Sequence, residues 1–214
     1  MRLSEIDDSN RGDHARLLPE DACLYLYEYT SGRDYSFSAT NNLINNLKKK
    51  PTASAAQLRY KGNAITGCAD DLRAALNPNW LDVATIVPVP GSKAADHPDF
   101  DNRMEQIARL IRPGLDVRNL VIQAQSTHAA HEVGAGDRVT VEELLELYSI
   151  NEAIAAPTPR QIGILDDVLT AGTHFRAMKF KLAQRFPGVP IVGLFIARRV
   201  FPPAADDFDI LCGA

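Results

Sequence analysis

From Ala84 onward the chain alternates short apolar runs with amphipathic stretches, and that alternation restricts the fold more than any other feature. Four runs, at residues 84–89, 120–123, 161–165 and 191–197, are short and mostly apolar. Strands of this kind are buried on both faces, which is the condition of a parallel sheet. Between them, helical spacing predicts helices over residues 101–111, 140–147 and 173–186. Thr140, with Glu143 three positions on, forms a capping-box pattern. Phe175, Met178, Leu182 and Phe186 mark the inward face of the last helix, and Gly188 with Pro190 ends it. The rhythm of strand and helix implies an α/β fold, a parallel sheet flanked by helices on both faces.

The N-terminal part reads differently. Residues 1–20 are polar and are expected to form a loose lead-in. Residues 23–29 (CLYLYEY) favour a strand, and Ser31-Gly32-Arg33-Asp34 predicts a turn into a second short strand at 35–38. The expectation is a small N-terminal hood containing a β-hairpin, over about residues 22–50. Thr40 is the expected cap of a helix carrying Leu43, Ile44 and Leu47, ended by Pro51. A second helix is expected over about residues 63–76, with Ile65, Cys68, Leu72 and Leu76 on one side and Asn77-Pro78-Asn79 as its stop. No repeat or linker divides the chain, so residues 1–214 are expected to form a single domain.

Composition excludes several classes. A 45% hydrophobic and 23% charged chain has the means to bury a core, so disorder is a poor reading. The net charge of -4 argues against a generally cationic nucleic-acid binder, although Lys48, Lys49 and Lys50, with Arg59 and Lys61 nearby, form a local basic patch. Cys23, Cys68 and Cys212 are odd in number and far apart, which fits neither a zinc knuckle nor a disulfide framework. The first residues lack an apolar core, and no run is long enough to span a bilayer, so a cytoplasmic protein is expected.

The chemistry is concentrated in residues 162–174, Ile-Gly-Ile-Leu-Asp-Asp-Val-Leu-Thr-Ala-Gly-Thr-His. An apolar strand is expected to end in two carboxylates, followed by a loop of small and hydroxyl residues that opens a helix. Open α/β sheets place ligands at the carboxyl ends of their strands. Backbone N–H groups, the Thr170 and Thr173 hydroxyls and the positive end of the helix dipole together make a phosphate cradle, which Gly172 lets an anion approach closely. Paired acids beside a phosphate need hydroxyl donors or a cation, and a sugar diol with a magnesium-bound water supplies both. The bland alternative is a helix cap followed by a turn. The spacing of a Walker loop is missing.

This segment resembles the 5-phosphoribosyl 1-pyrophosphate (PRPP) motif of type I phosphoribosyltransferases along its whole length. The resemblance implies the type I phosphoribosyltransferase fold. It also implies that Asp166 and Asp167 contact the ribose hydroxyls and, through water, magnesium, while Thr170, Ala171, Gly172 and Thr173 enclose the 5-phosphate. Such enzymes displace pyrophosphate from the anomeric carbon with a nitrogen nucleophile, with Mg2+ screening the leaving group.

Two further loops extend the resemblance. Ile86-Val87-Pro88-Val89-Pro90-Gly91-Ser92-Lys93 is similar to the pyrophosphate loop of the same fold, in the form found in ComF-like competence proteins and amidophosphoribosyltransferase relatives. By that likeness Ser92 and Lys93 meet the pyrophosphate, Lys93 as a catalytic group, and Arg103 stands where those relatives carry an arginine. Phe100-Asp101-Asn102-Arg103 departs from the Arg-Gly-Phe-Asn usual in ComF-like chains. Residues 125–138 are polar, long and glycine-bearing, as expected of a lid that closes over PRPP and brings Arg138 or His131 to the pyrophosphate; Arg138 is the second catalytic candidate. His128-x-x-His131 reads either as a metal pair or as plain loop, and His174 as a packing or capping residue.

The acceptor is open. Enzymes for 6-oxopurines carry an acid where this chain has Thr170, so hypoxanthine and guanine are disfavoured. Tyr25, Tyr27, Tyr29, Tyr35 and Phe37 read equally as stacking platforms or as core. The resemblance covers most of residues 22–197, and the zinc-bearing cysteine cluster of many ComF-like proteins is missing. Expected partners are PRPP and an unidentified nitrogen acceptor, with a homodimer allowed and neither membrane nor nucleic acid expected. Two functions remain: phosphoribosyl transfer, or a catalytically inactive PRPP-binding regulatory module.

Overall fold

The computed structural model describes residues 2–93, 97–123 and 139–202. Its centre is a sheet of strands β1 (Ser4–Glu5), β2 (Cys23–Thr30), β3 (Ala84–Pro88), β4 (Asp116–Val117), β7 (Gln161–Leu169) and β8 (Ile191–Val200), in the order β1-β2-β8-β7-β3-β4. The pairings from β2 to β4 are all parallel, and β1 lies antiparallel on the outer edge of β2. The central strands are buried almost throughout, which is why their sequences run apolar instead of alternating.

Helices cover both faces. One face carries α1 (Ala39–Leu47), α2 (Ala55–Ala75), the short α3 (Pro78–Leu81) and α4 (Arg103–Ile111), with Ile44, Leu47, Ile65, Cys68, Leu72, Ile107 and Ile111 in a continuous core. The other face carries α5 (Val141–Leu147) and α6 (Thr173–Arg185), whose Phe175, Met178 and Leu182 are buried with Phe186 against Ile162, Ile164 and Phe195. Each such large apolar side chain contributes about 1.5–3 kcal/mol on leaving water. Thr140 and Glu143 close the expected capping box on α5.

Four expectations are corrected. The run at 120–123 is not a strand of the parallel sheet: β5 (Val121–Gln123) pairs antiparallel with β6 (Tyr148–Ile150) in a separate ribbon, and the edge position beside β3 goes to β4. The hairpin is absent. Residues 31–38 form turns and irregular backbone, and β2 lies in the main sheet between β1 and β8 instead of pairing with residues 35–38. The described part of the lead-in is packed, with Ile6, His14 and Leu17 buried. Finally, the helix starts are earlier than expected: α1 starts from Ser38, whose hydroxyl accepts from the Asn41 amide, two residues before the Thr40 cap expected, and α2 begins at Ala55. Among the described residues, no helix is long and apolar enough to cross a membrane.

Candidate functional site at the switch point of the sheet

The strand order reverses between β3 and β7. The chain leaves β3 through α4 to reach β4 on one side, and leaves β7 through α6 to reach β8 on the other. The connections therefore diverge onto opposite faces and leave a crevice at the carboxyl ends of these two strands. The loop at Gly91–Lys93 stands at one wall, and the loop at Thr170–Gly172 at the other.

The acid pair lies inside β7. The strand runs on through Val168 to Leu169, because its register with β8 persists past Asp166 to Leu169 opposite Arg198. Asp167 is buried and points to the α1–α4 face, where Arg103 of α4 donates to its Oδ2 from Nη2 at 2.6 Å and from Nε at 3.2 Å. The Lys48 ammonium, just after α1, stands 3.6 Å from Oδ1. Burial opposes the charge on Asp167, but Lys48 and Arg103 outweigh it and hold the carboxyl well below the usual range. Asp166 is half-buried and has a poorer set of partners: its Oδ1 accepts from the Asp167 amide at 2.8 Å. Burial, and then the charge of Asp167, push its pKa up to about 7. Adjacent carboxylates are thus driven apart, one firmly ionised and one poised to take a proton or a cation.

Arg103 is brought to the acid pair, where three of its five N–H groups are engaged. Nη1 donates to Asp101 Oδ2 at 2.8 Å while Nε and Nη2 hold Asp167. Asp101 is also held by Lys61 at 2.6 Å. Arg103 therefore acts on the site through Asp167.

The Thr170–Gly172 loop is shaped by its neighbours. Gly172 has φ +88°, where a side chain is strained, and a Cβ there would lie 2.8 Å from Leu17 Cδ2, so Leu17 would have to shift as well. Among the described residues no side chain caps α6, so its first-turn amides have no side-chain acceptor there. The N-terminal segment ties the loop's carbonyls away from that side: Arg16 N–H donates to Ala171 O at 2.9 Å, and His14 Nδ1–H donates to Thr170 O at 2.5 Å. His14 is fully buried, burial lowers its pKa, and its Nε2 has no hydrogen-bond partner among the described residues. Thr170 is exposed, with Ala171 and Thr173 half-buried. His174, in the first turn of α6, is exposed, and its Nδ1 shares a hydrogen bond with the hydroxyl of buried Tyr148, 2.7 Å away.

On the opposite wall, Gly91 lies against the lead into α4, where an added Cβ would stand 3.0 Å from Asp101 O. Lys93 is half-buried and, with Gly91, Asn102, Glu105 and Gln123, lines a cavity of about 190 Å³. Ser92 is exposed, and its carbonyl accepts from Gln123 Nε2 at 3.3 Å. Arg138, His128 and His131 lie outside the described residues, as does Cys212. Of the aromatic candidates, Tyr25 is core and Tyr27 donates to Asp71 at 2.7 Å, whereas Tyr35 and Phe37 are exposed.

Sequence reasoning missed Lys48 and His14. Lys48 appeared only as part of a basic run and His14 only as part of a polar lead-in, and nothing local signals that either meets β7. No protein-family model matches the chain, and no curated protein shows significant similarity to it.

Proposed function

We propose that this crevice binds PRPP with magnesium on a fold of the type I phosphoribosyltransferase kind, and that the protein transfers the phosphoribosyl group to a nitrogen acceptor. The observation that carries the reading is the juxtaposition at the end of β7. A poised, half-buried carboxylate stands four residues before a glycine-turned loop and seven before the helix N-terminus that the loop opens, at the switch point of the sheet. An anion on the loop and hydroxyls on the acids account for both features, since the helix end favours negative charge and the carboxylates favour donors.

Magnesium suits the donor set. Among the described residues no group of three or more His, Cys, Asp or Glu side chains is gathered for a metal, but magnesium keeps most of its waters and is held through one or two carboxylates plus the ligand's phosphates. Asp166, with acceptor capacity left, and Asp167 would hold it. When bound, it would neutralise charge accumulating on the leaving pyrophosphate.

In the reaction the bond from the anomeric carbon to the pyrophosphate oxygen breaks, its electron pair leaving with pyrophosphate, and a bond from the acceptor nitrogen to that carbon forms as the nitrogen loses a proton. Lys93, and Arg138 from outside the described residues, are the cations proposed to stabilise the departing group. The test is a thermal shift with PRPP and magnesium on wild type and Asp166→Asn, followed by pyrophosphate release with pooled nucleobases and amines. The expected result is a rise in Tm for wild type that Asp166→Asn loses. An equal rise in the variant refutes the site; binding by wild type with no pyrophosphate release under any acceptor reduces the function to a binding module.

A further inference from the structure

The turn after α1 carries three consecutive lysines, and the fold sends Lys48 and Lys50 to different carboxylates. Lys50 Nζ reaches Asp99 Oδ2 at 3.1 Å. Lys61, rising from α2 and 6% exposed, donates to Leu47 O at 2.8 Å, Lys49 O at 2.7 Å and Asp101 Oδ2 at 2.6 Å. An ammonium has three donors, so Lys61 is saturated. The two carbonyls it holds flank Lys48, and the turn is thereby anchored from beneath with Lys48 directed at the acid pair.

The two cations on Asp167 differ in kind. Arg103, 21% exposed in its side chain, is fixed between two carboxylates. Lys48 is 47% exposed, and its 3.6 Å separation from Asp167 is an ion pair longer than a hydrogen bond. Charge, not a directed bond, holds the ammonium in place, and among the described residues none of its three donors is committed to a hydrogen bond.

On the reading that the crevice binds PRPP, we infer that Lys48 is a ligand-contacting residue, which turns its ammonium from Asp167 to an anionic phosphate oxygen of the ligand while Arg103 stays on Asp167. Ribose hydroxyls and a magnesium-bound water supply the carboxylate with new donors as the ligand arrives, and the ligand's phosphates become the strongest nearby acceptors. Lys48 alone of the three lysines is then the recognition element of the site, and its position is set by Lys61 beneath the turn.

The experiment is calorimetric titration of the full chain with magnesium–PRPP, ribose 5-phosphate and magnesium pyrophosphate, for wild type, Lys48→Ala, Lys48→Arg and Lys50→Ala. Lys50→Ala removes the same charge two residues away and controls for general electrostatics. The expected result is a loss of PRPP affinity of about 10- to 100-fold in Lys48→Ala, as for a charge-assisted hydrogen bond. Lys48→Arg should recover most of it, and Lys50→Ala should change it by less than about threefold, the residual expected of a screened charge. Whichever of ribose 5-phosphate and pyrophosphate shares the loss identifies the phosphate that Lys48 meets. Equal affinities in wild type and Lys48→Ala overturn the inference alone. Absence of binding to all three ligands by wild type overturns the functional reading and the inference with it.

Discussion

Replacing Arg103 with methionine tests whether Asp167 depends on its guanidinium. Methionine keeps much of the apolar stem and removes both donors to Asp167 and the one to Asp101. Asp167 is 5% exposed, so the variant strands a buried carboxylate. Breaking such a pair from one side costs about 3–5 kcal/mol. Lys48 at 3.6 Å and the Val168 amide, donating to Oδ1 at 2.7 Å, remain and place the expected loss near the lower end, about 3 kcal/mol. For a chain of this size that corresponds to a fall in Tm of about 6–12 °C.

The loss depends on pH in a definite direction. In the wild type the Asp167 carboxyl is held below its ordinary value of 3.8, so its stabilisation is complete above that pH and fades as acid approaches the folded value. Without Arg103, burial prevails and the folded carboxyl rises, so the charge costs stability as pH increases. The gap between wild type and Arg103→Met should therefore be widest at pH 7.5 and narrow towards pH 4. Urea denaturation at both pH values measures it, and Asp167→Asn in the Arg103→Met background should recover a coupling of about 2 kcal/mol. A single variant within 1 kcal/mol of wild type at pH 7.5, or a cycle without coupling, refutes the reasoning about this pair.

Two further outcomes are expected. Asp166→Asn should stabilise the free protein at pH 8: a carboxyl held at about 7 instead of 3.8 loses stability as pH rises between those values, at most about 4 kcal/mol, and the amide escapes this. The difference in Tm from wild type should vanish near pH 4, and a variant less stable than wild type at pH 8 would refute the assignment. Gly172→Ala should destabilise by about 1–3 kcal/mol through its φ of +88° and the clash with Leu17, and weaken phosphate binding. Adding Leu17→Ala should relieve only the steric share, which chemical denaturation of the three variants separates; complete rescue would show that the backbone conformation carries no cost.

The parts of the fold that were legible in the sequence are those decided locally. The apolar runs at β3 and β8 and the inward face of α6 needed only burial and spacing, and the Thr140–Glu143 box needed only four residues. The failures are non-local. β2 alternates aromatics as a hairpin strand would, yet its partner is β8, with Cys23 opposite Gly193, a pairing no local pattern reports. β5 is apolar enough to enter the parallel sheet, but its partner β6 is three residues at the end of a helix, too short to announce itself. β7 and β8 continue through charges that usually end strands, because Asp167 meets Arg103 and Arg198 meets Glu28 across the fold.

The same distinction runs through the site. The phosphate loop and the acid pair are contiguous, so their chemistry could be read from thirteen residues in a row. What makes that chemistry workable comes from elsewhere: His14 lies 156 residues from Thr170, and Arg103 lies 64 from Asp167. These partners set the charge state of the acids and the orientation of the loop. Asp167 keeps its charge because two cations face it, whereas Asp166, beside that charge, has no cation in direct contact among the described residues. An incoming cation or a hydroxyl donor therefore gains most at Asp166, and an incoming anion gains most at the uncapped end of α6 close by. A ligand that carries both a diol and a phosphate satisfies the two demands at once, which neither a bare anion nor a bare metal ion can do.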